Sequence, residues 1–149
     1  MSEKNKKIIS KTLSRLAAIQ AIYAYEINKN EEENRFDIHT SILDVITLHE
    51  EETEEKLSKD FLSKLVILTY DNLDKIDELI SINLNKHDNI EKLNLLLRCI
   101  LRCAVCELKF YETPFKVVID EYVALTKDFF SDSEINFVNA ILDKIQKDT

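Results

Sequence analysis

The sequence predicts an all-α fold, and three observations carry the prediction. There is no glycine and a single proline, Pro114, in 149 residues. Apolar residues recur at three- and four-residue spacing along most of the chain. The hydrophobic share of 45% is enough to build a core in a chain of this length. Strand-rich folds draw on glycine and proline for their many tight turns, and this chain has almost none to give. The reading is about seven helices in one domain, 1–149, with two small bundles over about 1–85 and 86–149.

The first helix is predicted from about Ile8 to Ile27. Ile9, Leu13, Leu16, Tyr23 and Ile27 keep helical spacing, and Ala17, Ala18, Ala21 and Ala24 allow a neighbour to come close. Asn28 to Arg35 reads as a polar, acidic linker. Asp37 is an N-cap residue for a helix through Ile38, Ile42, Val45, Ile46 and His49. The acidic run after Leu48 is expected to be a surface loop or a frayed helix end. A third helix, starting near Ser58, carries Phe61, Leu62, Leu65, Val66 and Leu68. From Asp71 a fourth begins, with Asp71 and Asp74 ahead of Ile76, Leu79, Ile80 and Ile82. Asn83 to Asn89 breaks the pattern, and the two halves are expected to meet there.

The fifth helix is the most apolar. Ile90, Leu93, Leu97, Leu101, Ala104, Leu108 and Tyr111 form one stripe, and Leu96, Cys99, Ile100, Cys103 and Val105 add apolar residues on other faces. A helix that is apolar almost all round is a central one. Thr113 is expected to cap the sixth helix, with Pro114 at its first position, where a missing N–H costs nothing. Val117, Val118, Leu125 and Phe129 are its expected buried side. Asp132 or Ser133 starts the last helix, with the stripe Ile135, Val138, Ile141, Leu142 and Ile145.

The missing glycine also bears on chemistry. Phosphate-cradling loops, dinucleotide turns and nucleophile elbows use glycine because their backbone takes positive φ or approaches a ligand closely. Cys99, Cys103 and Cys106 spell C-x3-C-x2-C, a spacing known from iron–sulfur clusters, but those clusters sit on irregular loops. Three thiols inside the most helical stretch read instead as small buried hydrophobes, and their odd number is no disulfide framework. His39, His49 and His87 are scattered with no second ligand at metal-site spacing. The reading is no catalytic residues, no metal and no cofactor. With no long apolar run and no secretory signal at the start, the expected location is the cytoplasm.

Binding is the better destination. Net charge is −8, which argues against a generic nucleic-acid binder, yet the charge is uneven. Lys4, Lys6, Lys7, Lys11 and Arg15 crowd the start with only Glu3 against them, while acids gather at Glu31 to Glu33 and Glu50 to Glu55. Residues 4, 7, 11 and 15 recur at helical spacing, and Tyr23 is read as lying near that line two turns on. Phe137 falls off the apolar stripe of the last helix. Lysines for phosphates and rings for splayed bases are what single-stranded RNA recognition uses. A solvated lysine tail and two ordinary core rings would explain the same residues, and spacing alone does not choose.

Three stretches resemble the NusB transcription-antitermination family. They are SRLAAIQAIYAYE from Ser14 to Glu26, ILRCAVCEL followed by PFKVVIDE between Ile100 and Glu121, and FVNAILDKI from Phe137 to Ile145. Their order and spacing cover nearly the whole chain. The resemblance implies a NusB-like fold of two helical subdomains and a non-enzymatic, bacterial, cytoplasmic factor. It implies binding of boxA RNA in ribosomal RNA transcripts, jointly with the ribosomal protein NusE, within an RNA polymerase antitermination complex. It carries RNA contact or near-contact over to the basic arm (Lys4, Lys6, Lys7, Lys11), Arg15, Gln20, Tyr23 and Phe137, and to the start of the last helix at Ser133. Where the family often has an arginine cluster before the first helix, this chain has spaced lysines, which lack the planar guanidinium fork. Ala140 replaces a family glycine, and the acid usual near 133 is shifted to Asp132. Two alternatives stay open: the RNA-binding module of a ribosomal RNA methyltransferase, were the chain a fragment, and a helical scaffold that binds no RNA. A homodimer stays open as well, because its surface and the NusE surface could overlap, and no membrane partner is expected.

Overall fold

The computed structural model describes residues 1–30 and 37–148. Among them are seven α-helices and no strand: α1 (Glu3–Asn28), α2 (Ile38–Glu52), α3 (Lys59–Asp71), α4 (Leu73–Ile82), α5 (Leu95–Phe110), α6 (Phe115–Lys127) and α7 (Asp132–Lys147). No described residue has positive φ. Helix ends close without the left-handed residue that glycine usually supplies; Lys29, Asn83 and Asp128 end α1, α4 and α6 with φ of −62°, −101° and −71°. These three helices thus end without glycine. The acidic linker expected over Asn28 to Arg35 lies mostly outside the described residues.

The chain divides into two compact units, Met1–Leu68 and Thr69–Thr149. The sequence reading put the meeting point at Asn83 to Asn89. α4 goes with the second unit because Ile76 and Ile80 are fully buried and the helix packs on α5 and α7. A turn-rich segment marks where a chain bends, not which side of the bend finds the larger apolar partner.

In the first unit α1 packs on α2. Ala17, Ala18 and Ala21 on α1 are buried and short, so the helices approach until the Ser41 hydroxyl donates to the Ala21 carbonyl. α1 is five residues longer at its start than predicted. Ser2 caps it by accepting from the Asn5 N–H at 3.1 Å, so the lysine-rich stretch is helical. Asp37 caps α2 as expected, accepting from Thr40 N–H at 2.8 Å, and that bond holds its carboxyl below the ordinary range.

In the second unit α5 is the centre, buried from Cys99 through Glu107 and packed by α4, α6 and α7. Its start corrects the prediction. Ile90–Lys92 is a separate 3₁₀ turn, and α5 begins only at Leu95. Asn94 breaks the run: its side-chain oxygen accepts from Leu96 and Leu97 N–H, so it caps rather than continues. Arg98 ties the two pieces, donating to the carbonyls of Glu91 at 3.1 Å and Leu93 at 3.0 Å. On α6 the cap is Pro114 itself, not Thr113, and it has no side-chain cap bond. The buried side of α6 is Val118, Ile119, Tyr122, Leu125 and Thr126; Val117 and Phe129 are exposed at 44% and 45%. Val118 and Leu125 are buried as predicted, whereas Val117 lies on the outer face of the helix and Phe129 in the turn past its end.

Two polar groups inside this core are paired. Arg102 reaches Asp77 on α4 with two bonds of 2.9 Å, and the Tyr122 hydroxyl donates to the fully buried Glu107 at 3.0 Å. The three cysteines are buried free thiols. Burial pushes Cys106 up to about 11 and Cys103 well above its ordinary value. Thiols held protonated are poor metal ligands, in keeping with their reading as core residues.

Candidate nucleic-acid interface

The first three turns of α1 leave Lys4, Lys6, Lys7 and Lys11 exposed. They line one open groove of about 1130 Å³, whose other side is the segment entering α3: Glu54, Glu55, Lys56 and Ser58. That segment is tied at both ends. The Ser58 N–H donates to Ser14 Oγ of α1 at 2.8 Å, and His49 Nε2 of α2 lies 2.6 Å from the Glu55 carbonyl. The groove therefore has two held walls and lies wholly within the first unit.

Arg15 departs from the expectation. It is only 3% exposed, its guanidinium lies 5.3 Å from the centre of the Phe61 ring, and Lys11 sits over the same ring at 5.8 Å. A phosphate has no approach to a side chain so covered; Arg15 packs α1 on α3 instead. Helical phase explains it. At about 100° per residue, the line through Lys4, Lys7, Lys11 and Arg15 continues through Ala18 and Ile22, both buried. The lysine stripe is thus the solvent-reaching end of the core stripe.

The same phase corrects the place of Tyr23. It lies about a third of a turn off the lysine line, on the side that also carries Gln20 and Lys6. Tyr23 is 36% exposed and Gln20 is exposed, so the ring is open to a ligand, though not in line with the basic row. In the second unit, Ser133 and Phe137 lie one turn apart on the same side of α7, exposed and half-buried. Ser133 is engaged by its neighbour. Its hydroxyl donates to Glu134 at 2.7 Å and Ser131 donates to the same oxygen at 2.9 Å, which holds the Glu134 carboxyl low.

The structure also adds a residue the sequence reading missed. Lys56 follows Glu54 and Glu55, and a lysine in an acidic run reads as a solvated ion pair. Only the fold of the loop back to α1 places it at the groove.

The fold and groove define a class: all-α proteins of two small helical units, with a recess on the first helix lined by five lysines and three glutamates. The model of the NusB family matches residues 12–147, and the chain belongs to that family. The transcription antitermination protein NusB of Rickettsia bellii (strain OSU 85-389) is 40% identical over 144 residues, covering 93% of this chain and 91% of that protein. A solved structure of T. maritima NusB is similar at a TM-score of 0.76 and 30% identity, over 91% of this chain and 89% of that one. A solved complex of antitermination factors NusB and NusE with double-stranded RNA matches at a TM-score of 0.77 and 24% identity, over 93% and 96% of the two chains, and speaks to the fold. Among the described residues no helix is long and apolar enough to cross a membrane, and no group of metal-ligating side chains is gathered.

Proposed function

We propose that this chain is a transcription antitermination factor that binds boxA RNA of ribosomal RNA transcripts together with the ribosomal protein NusE. It supports transcription by RNA polymerase, acts in the cytoplasm and catalyses no reaction. The observation that carries this reading is the lysine groove on α1, in a chain whose Rickettsia relative is named a transcription antitermination protein. The complex of NusB with NusE and RNA supports the choice of partners, since its NusB shares this fold.

The chemistry divides between charge and stacking. Lys4, Lys7 and Lys11 neutralise backbone phosphates, and Gln20 and Tyr23 of the same helix meet bases; the second unit offers base contacts of its own at Ser133 and Phe137. If about three lysines make phosphate contacts, the logarithm of affinity falls with the logarithm of salt at a slope of roughly −2, about twenty-fold between 50 and 200 mM. Removing a stacked ring, by Tyr23→Ala or Phe137→Ala, weakens boxA binding by about 1–3 kcal/mol each. The deciding experiment is a gel shift with a boxA oligonucleotide, with and without NusE. Retardation that NusE enhances and a scrambled oligonucleotide lacks supports the reading. Binding to NusE without any RNA shift would instead make the chain a protein scaffold.

A further inference from the structure

The basic groove has a second wall, and its charges are mixed. On the α1 side stand Lys4, Lys6, Lys7 and Lys11; across from them are Lys56, Glu54 and Glu55. Two features set Lys56 apart from a surface lysine on a loose loop. Its segment is pinned, by Ser58 N–H to Ser14 Oγ at 2.8 Å, by the His49 ring on the Glu55 carbonyl and by Glu55 N–H donating to Thr53 Oγ1 at 3.2 Å. Lys56 also has no ion-pair partner among the described residues, whereas Lys59, three residues on, is held by Glu50 at 2.7 Å. An unpaired lysine on a tied backbone, lining the same groove as four other lysines, has an anion as its natural occupant.

Glu54 and Glu55 point the other way. They make no ion pair among the described residues, both are exposed, and they border the same recess. A polyanion entering the groove meets them as like charges, so they weaken the binding that the lysines provide.

We propose that the Glu54–Lys56 segment is the second wall of the phosphate-binding groove, with Lys56 as a backbone contact opposite α1 and Glu54 and Glu55 as built-in attenuators of RNA affinity. The inference rests on the RNA-binding reading above and names residues which that reading does not. The attenuators give the first unit a weak grip on RNA in general, so that tight binding depends on contacts made elsewhere along the transcript.

The test is fluorescence anisotropy of the full chain with a labelled boxA oligonucleotide, across a salt series. One single-strand phosphate contact contributes a factor of salt concentration to about the power −0.7. K56A therefore weakens binding about five-fold at 0.1 M salt, and its log–log slope is shallower by about 0.7. E54Q/E55Q tightens binding about two- to three-fold, the effect expected of two screened carboxylates close to the phosphates. E51Q/E52Q changes net charge equally at residues that do not line the groove and leaves affinity nearly unchanged. All these side chains are exposed, and helicity by circular dichroism confirms folding. K56A and E54Q/E55Q both matching the parent, while K7A weakens binding, overturns the second wall and leaves RNA recognition standing. Equal tightening by E51Q/E52Q overturns it too, because bulk charge would then explain the gain. If the parent chain binds the oligonucleotide neither alone nor with NusE, both readings fall together.

Discussion

α1 and α5 are both studded with charge, and the charges do different work. In the first three turns of α1 the lysines stand in water, held by at most a distant partner such as Glu3, 3.7 Å from Lys6. In α5 the charged groups Arg102 and Glu107 lie in the core, and each has a dedicated partner, Asp77 and Tyr122. Solvated charges are free to meet a ligand and contribute little to folding, whereas buried ones must be satisfied within the protein. Arg15 marks the crossover within α1 itself. It continues the lysine line by sequence and joins the core by burial.

The comparison can be broken by mutation. Asp77→Ala leaves Arg102 buried beside an empty place, and we expect a loss of about 3 kcal/mol or more in urea unfolding; a loss below about 1 kcal/mol would mean water replaces the carboxylate. Next in size, Tyr122→Phe removes one donor from Glu107 and lowers stability by about 1–3 kcal/mol, again by urea unfolding. A third effect is pH-dependent. Burial in the folded state raises the Cys106 thiol to about 11 and the Cys103 thiol well above the same ordinary value of 9.0. Between these values the unfolded chain gives up protons that the folded chain keeps, so stability falls as pH rises from 9. The slope is up to about 1.4 kcal/mol per unit for each thiol. Thermal midpoints at pH 8 and pH 10 check it, against a variant with Cys106→Ala, in which the fall is smaller. Smallest of all, Glu3→Gln on α1 shifts stability by no more than about 0.5 kcal/mol, measured by the same unfolding curves. A large effect there would deny the contrast between the two helices.

Much of the fold was legible because helices are local. The 3.6-residue spacing located all seven, Asp37 was recognised as a cap from its chemistry, and the buried stripe of α7 was read correctly at Val138, Ile141, Leu142 and Ile145. What failed were places where one side chain competes with a pattern. Asn94 interrupted an otherwise continuous apolar run, and Val117 and Phe129 were assigned inward by hydrophobicity although their neighbours Val118 and Leu125 fill the space. The burial of Arg15 was within reach of the sequence, since strict helical phase runs its line into Ala18 and Ile22. The angle between the lysine row and Tyr23 was within reach for the same reason.

Order along the chain was thus enough for helix count, the Asp37 cap, a central apolar helix and a lysine-rich start, because each depends on residues close in sequence. It could not say that Ser58 would bond Ser14 across 44 positions and bring Lys56 to face those lysines, or that Asp77 would be the partner of Arg102. Such pairings are settled by which surfaces exclude water from one another, and that is a property of the packed chain.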